Sequence, residues 1–288
     1  MNFSQFFIKV SRPHFWMYTA GPFLLGSLFF DTLTIQSGLY IFGMFLYFVL
    51  PANVLMYGVN DYFDWDTDQL NPKKETKEIR VSLQQRVLLK NGVVGAIFIS
   101  VIVLFLQPSW VSMFWLLAFL IGAIAYSTPP VRLKSRPFLD SLSNMFYIFP
   151  GFVAFGAATG SFPPLLVGII GGSWTAAMHL YSAIPDIVYD KQAGLNTTAT
   201  KLGFTKSNMA CSGLWMISAV GTLFLIGLRL TTILVWVYPV IPLVHLFMQS
   251  SKAPRNSFFQ IEKMYWLFPY ITTMIGAVAT IEFLLQLG

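Results

Sequence analysis

Nine apolar stretches, most of them close to twenty residues long, follow one another along this chain and leave it few folds to choose from. They run from His14 to Phe30, Gly38 to Gly58, Asn91 to Gln107, Ser109 to Ser127, Ser141 to Gly160, Pro164 to Ile184, Asn208 to Leu228, Thr231 to Met248 and Lys263 to Leu287. A helix of about 20 residues crosses the hydrocarbon of a bilayer with its backbone hydrogen bonds made internally. Only 10% of the residues are charged, against about 25% in a soluble domain. No polar linker separates the stretches. The expected fold is an all-α membrane protein, one bundle of nine transmembrane helices. Gly21-Pro22 and Pro51 lie inside stretches and mark kinks near a cavity.

The loops orient this bundle. With nine spans, the N-terminal segment and the loops after spans two, four, six and eight share one side. They hold 17 of the 18 lysines and arginines, and Arg229 alone lies opposite. Lys and Arg concentrate in cytoplasmic loops. The N-terminus is therefore expected in the cytoplasm, the C-terminus outside, and the protein in the cytoplasmic membrane. The net charge of +6 follows from that rule and from attraction to anionic lipid, and gives no argument for nucleic acid. No cleavable signal peptide is evident, and Phe3–Val10 is expected along the membrane interface. The single cysteine, Cys211, excludes an intramolecular disulfide and reads as a small buried hydrophobe. No obligatory protein partner is evident.

Six of the 12 acidic residues fall in two short clusters at the ends of apolar runs. The first is Asn60-Asp-Tyr-Phe-Asp-Trp-Asp-Thr-Asp68; the second is Asp186 with Asp190. If the second span continues as a helix through residue 68, Asp61, Asp64 and Asp68 share one face and Asn60 is one turn from Asp64. Asp66 falls off that stripe. Asp186 and Asp190 are also one turn apart, and Pro185 marks a break that turns them toward a cavity. Packed carboxylates repel one another, and a divalent cation relieves this; Mg²⁺ suits hard oxygen ligands and keeps phosphate in its shell. A diphosphate is itself anionic, so carboxylate, Mg²⁺ and diphosphate form a natural sandwich in which the metal stabilises the leaving group. Arg132, Lys134 and Arg136 after the fourth span, Arg12 before the first, and Lys191 beside Asp190 supply groups that hold diphosphate oxygens or simply anchor the chain on the positive side.

These residues resemble a known family. The Asn60-Asp-x-x-Asp64-x-x-x-Asp68 motif, the Tyr126…Lys134 loop, the Asp186…Asp190 pair and the nine spans are similar to the UbiA superfamily of intramembrane prenyltransferases, over essentially the whole chain. The resemblance implies one domain, residues 1–288, of two pseudo-repeated helical halves (about 1–140 and 141–288) around a central cavity. It implies Mg²⁺-dependent ionisation of an allylic prenyl diphosphate and attack on the cation by a hydrophobic acceptor. By motif position, Asn60, Asp61, Asp64, Asp68, Asp186 and Asp190 form the metal cluster, with Asp64, Asp68, Asp186 and Asp190 central to catalysis. Arg12, Asn60, Tyr126, Lys134, Arg136 and Lys191 would hold diphosphate. The wider family often has a further aspartate where this chain has Ala183. That departure, with Ser11–Pro22 and Ser182–Thr200, is similar to the lycopene elongases, which add C5 units from dimethylallyl diphosphate to lycopene, some with hydration. An aromatic or quinone-precursor acceptor is the alternative within this family.

A reactive cation needs shelter from water. Phe15, Tyr18, Tyr57, Trp174 and Tyr181 are candidates to line such a site by their proximity to the motifs. An alkene acceptor also needs a base afterwards, and His14 and His179 are the polar groups near the cavity mouth. Pro72–Lys90, with Ile79, Leu83 and Val87 four apart, is expected as an amphipathic helix, and Lys191–Lys206 as a flexible cap. A transporter would need polar groups along a path across the bilayer. Here the acidic clusters sit on one side, with only Asp31, Arg229 and Glu282 charged on the other.

Overall fold

The computed structural model describes residues 2–68, 79–192, 194–248 and 254–287, and among them every regular element is helical. Polar caps start several helices where apolar runs begin. Asn2 with Gln5, Thr34 with Ser37, Ser82 with Gln85, Ser109 with Ser112 and Thr197 with Thr200 each satisfy the first free backbone N–H groups reciprocally.

Seven helices are long and apolar enough to cross a membrane: Ile35–Phe63, Leu83–Phe105, Trp110–Ser127, Leu139–Thr159, Thr198–Ile226, Leu230–Met248 and Gln260–Gln286. Two of the nine expected spans are not among them. In the first, Met17–Ser27 is helical for only 11 residues, about half the length a bilayer requires. The other, Leu165–Ala183, has the length but is diluted by Gly171, Gly172, Ser173 and His179.

The contacts divide the chain into two compact units, Met1–Arg132 with Phe149–Phe162, and Leu133–Ile148 with Pro163–Gly288. In the first unit, Met17–Ser27 packs on Phe149–Thr159 through glycines. A Cβ on Gly26 would overlap the Gly151 carbonyl oxygen, and one on Gly151 would come within 2.9 Å of the Pro22 carbonyl. Small residues at such crossings let helix backbones approach where lipid supplies no hydrophobic drive. Leu83–Phe105 buries only Leu89, Ala96 and Ser100, a narrow stripe, while Phe98, Ile102 and Phe105 remain exposed. That pattern belongs to a helix whose remaining surface faces apolar solvent. The Tyr47 hydroxyl donates to Ser100 Oγ at 2.8 Å, and Ser100 in turn donates to the Ala96 carbonyl at 2.7 Å, satisfying both buried groups.

The amphipathic helix expected over Pro72–Lys90 is not present as such in its described part. Residues 83–90 are instead the first turns of Leu83–Phe105, started by the Ser82 cap, and 71–78 lie outside the described residues, Lys73, Lys74 and Lys77 among them. Ile79 and Val81 are buried with Phe6, Val10 and Leu89, so this stretch is tied down by its own small core. In the second unit, Thr198–Ile226 packs along Leu165–Ala183, and Gly203 takes the left-handed value φ 74 that the kink there requires. Glu282 accepts from the N–H groups of Leu230 (2.8 Å) and Thr231 (3.2 Å), which cap Leu230–Leu234. Cys211 is buried, as expected.

Candidate active site

In the first unit the acidic motif ends the helix Pro51–Phe63, whose residues 52–59 are all buried. Helical geometry stops at Asp64 (φ −99, ψ 7), and a short helix, Trp65–Asp68, follows. The single stripe expected for Asp61, Asp64 and Asp68 is therefore interrupted, and no glycine or proline marks the place. Asp61 is only 1% exposed, and its Oδ1 accepts from Arg12 Nη2 at 2.9 Å. The Arg12 guanidinium also lies 4.5 Å from the centre of the Tyr57 ring. Asp64 Oδ1 accepts from Arg132 Nη2 at 3.1 Å in a more open setting. Asn60 Nδ2 donates to the buried Ser127 hydroxyl at 3.2 Å, one residue beyond the half-buried Tyr126. Asp66 is exposed. Asp68 is the last residue of its helix, and its side chain lies outside the described residues.

Both arginines occupy left-handed backbone, Arg12 at φ 52 and Arg132 at φ 36. Such a conformation costs a non-glycine residue about 1 kcal/mol or more, which the charged contacts offset. The structure thus brings Arg12 and Asp61 to each other, although the sequence assigned one to diphosphate and the other to metal. Beyond the motif, Arg86 stacks over Tyr62 and Trp65, 5.1 Å from each ring centre, and Trp65 Nε1 donates to the Val81 carbonyl at 2.8 Å. Phe15 stacks on Tyr18 with centroids 5.6 Å apart and approaches Tyr57 at 6.4 Å, so three of the expected aromatic residues form one group.

In the second unit, Leu165–Ala183 gives way to a 3₁₀ turn, Ile184–Asp186, and then to Ile187–Gln192. Pro185 sits at the break, as its sequence position required. Asp186 and Asp190 are half-buried, and Lys191 is exposed. Asp190 Oδ2 accepts from the Thr197 hydroxyl at 3.4 Å, while its carbonyl accepts from Leu195 N–H at 2.8 Å. Lys134 is half-buried in the turn Leu133–Ser135, and Arg136 is exposed. Tyr181 is fully buried against Trp215 and Phe268 and bonds His245 Nε2 at 2.8 Å, which makes it core. Trp174 meets Tyr238 edge-on at 5.4 Å.

Asp140 was missed by sequence reasoning. It is fully buried; Oδ2 accepts from Thr198 N–H at 2.7 Å, and Oδ1 from Ser141 N–H at 2.8 Å and from the Thr198 hydroxyl. Its one signal was isolation, a lone acid between apolar residues. Because Asp140 grips Thr198 and Thr197 caps the same helix, 197–206 is anchored at its start, unlike the flexible cap expected over Lys191–Lys206.

Among the described residues, no three acid, histidine or cysteine side chains form a ready-made metal cage. The donors present, carboxylates and the Asn60 amide, are nevertheless the hard oxygens that Mg²⁺ prefers. That ion is commonly held by one or two carboxylates together with substrate phosphates.

The UbiA prenyltransferase family matches residues 16–268. The chain is 38% identical to the lycopene elongase/hydratase of Haloferax volcanii, over 96% of this chain and 88% of that one. It is 36% identical to the lycopene elongase/hydratase of Halobacterium salinarum, over 96% of each. Among solved structures, a UbiA homolog from Archaeoglobus fulgidus bound to DMAPP and Mg²⁺ superposes with a TM-score of 0.68 at 19% identity, over 94% of this chain and 99% of that one. A digeranylgeranylglyceryl phosphate synthase gives 0.67 at 14% identity, over 98% and 100%.

Proposed function

Because the chain belongs to the UbiA prenyltransferase family, we propose that it moves a prenyl unit from an allylic diphosphate, dimethylallyl diphosphate, onto lycopene or a related carotenoid. The observation that carries this reading is its likeness over nearly full length to proteins named lycopene elongase/hydratase. The deeper physical support is local. Carboxylates end apolar helices in both units, where uncompensated negative charge is costly.

Asn60, Asp64 and Asp68 in one unit, and Asp186 and Asp190 in the other, are the residues proposed to hold Mg²⁺. An ion held by these carboxylates would supply Lewis-acid charge for the departing diphosphate. Arg12, Tyr126, Lys134, Arg136 and Lys191 are the proposed diphosphate ligands. Asp61 serves the site by orienting Arg12, since its carboxylate is buried against that guanidinium. The allylic C–O bond breaks with its electron pair leaving on the diphosphate, and the acceptor's π pair makes the new C–C bond. Apolar and aromatic side chains exclude water from the cation meanwhile. We further propose nine membrane crossings in two pseudo-repeated halves, with the N-terminus and the diphosphate site on the cytoplasmic side and the C-terminus outside. The support is the one-sided placement of 17 of 18 basic residues.

Expression in lycopene-producing cells tests the acceptor. The pigments should gain one or two C5 units by mass, with or without water, and excess EDTA should stop the reaction in isolated membranes. An unchanged lycopene peak beside well-expressed protein would turn the reading to an aromatic or quinone-precursor acceptor.

A further inference from the structure

We propose that His179 takes up the proton released when the new C–C bond has formed, and that Ser141 and Asp140 hold it in the basic tautomer. This rests on the reading above only in requiring prenyl transfer to a carbon–carbon double bond.

The chemistry demands such a group. Once the acceptor's π pair has made the new bond, a positive charge remains on the neighbouring carbon. A neutral alkene product forms when an adjacent C–H bond returns its electron pair to the carbon skeleton and its proton passes to a base. Addition of water to the same cation also sheds one proton. Inside an apolar bundle no bulk water collects it, so a fixed acceptor has work to do.

The placement fits. His179 lies seven residues before Asp186 and eleven before Asp190. A helical period of 3.6 puts residues so spaced on one side, with His179 roughly 10 Å further into the apolar run than Asp186. The intervening 3₁₀ turn shifts this by a fraction of a turn. The reacting carbons of a prenyl diphosphate lie on the hydrocarbon side of its head group, the direction in which His179 lies from the two carboxylates. The neighbours Ala176, Ala177, Met178 and Leu180 are buried, whereas His179 keeps accessible surface.

The contacts around Ser141 favour a proton on Nδ1. A carboxylate only accepts, and Asp140 is fixed by the N–H groups of Thr198 and Ser141. Ser141 Oγ lies 3.5 Å from Asp140 Oδ1 and 3.3 Å from His179 Nδ1. With the serine hydroxyl donating to the carboxylate, its oxygen accepts from Nδ1–H, and the lone pair falls on Nε2. The imidazolium that forms is then stabilised through Ser141 by the Asp140 charge.

The test uses the full chain in native-like membranes with dimethylallyl diphosphate, Mg²⁺ and lycopene, comparing wild type, His179→Gln and Ser141→Ala. His179→Gln should lower kcat about 100-fold while the donor KM stays within about twofold, and residual product should show a changed ratio of alkene to hydrated carotenoid. Ser141→Ala should move both quantities the same way by a smaller factor. Unchanged kcat and product ratio in His179→Gln would overturn the inference. So would a raised donor KM or lost folded protein in both variants with kcat per folded molecule preserved, which is the signature of a purely structural histidine. Wild-type protein that fails on lycopene sinks the carotenoid reading; wild type that elongates lycopene beside an unimpaired His179→Gln sinks only the base.

Discussion

The two acidic segments follow the same plan in sequence, yet the two units hold their deeply buried carboxylates, Asp61 and Asp140, with different partners. Each ends an apolar helix at a break, Asp64 closing Pro51–Phe63 and the turn Ile184–Asp186 closing Leu165–Ala183. In the first unit, guanidinium groups meet the carboxylates, Arg12 on Asp61 and Arg132 on Asp64. In the second, the buried Asp140 is held by neutral donors, the N–H groups of Thr198 and Ser141 and the Thr198 hydroxyl. A buried carboxylate facing a guanidinium is strongly destabilised when that guanidinium is removed. One held by several neutral hydrogen bonds loses about 1 kcal/mol with each bond removed. The two buried carboxylates therefore carry different vulnerabilities.

The comparison breaks most visibly at the chemistry. Asp64→Ala and Asp190→Ala should each lower turnover by about 1,000-fold or more, about 4 kcal/mol of barrier, with the bundle still folded. Diphosphate release from dimethylallyl diphosphate measures this. Near-normal release by one variant alone would show that only one segment serves the reaction. Next in size is the stability of the first unit. Arg12→Ala should destabilise by about 3–5 kcal/mol by removing the guanidinium that faces the buried Asp61. Replacing both residues, Arg12→Met with Asp61→Leu, should recover much of that loss in thermal unfolding in detergent. A double variant as unstable as Arg12→Ala would remove the ion pair from the explanation. Smallest is Thr197→Ala, which takes away a helix cap and one Asp190 contact and should cost about 1 kcal/mol. If it cost as much as Arg12→Ala, the contrast between the units would disappear.

Much of this was legible beforehand, and the reasons differ by residue. The apolar runs revealed the helices because burial in lipid leaves a long, simple signal. Pro185 announced its break because proline cannot continue the hydrogen-bond ladder. The Asp64 break was hidden, since no glycine or proline stands there and the Asn, Asp and aromatic residues of the segment disfavour helix only weakly. The Arg12–Asp61 pair joins residues 49 apart and the Arg132–Asp64 pair residues 68 apart, so neither partner could be chosen from spacing. Asp140 was silent because a single acid carries no pattern; only the fold reveals that it grips Thr198. The first apolar stretch is longer than its regular helix, Met17–Ser27, because the 3₁₀ turn Pro13–Phe15 opens it.

That short helix also bears on the order in which the protein is made. Its glycine-mediated seat is on Phe149–Thr159, which the ribosome completes more than 120 residues after Ser27. The helix can meet Ile35–Val49 early, where Thr19 Oγ1 donates to the Phe48 carbonyl at 2.9 Å, but the glycine seat must wait. Its Gly26–Gly151 crossing is thus a late step of assembly, and a methyl group added at Gly26 would act first on the yield of finished protein in the membrane and only secondarily on the chemistry of what matures.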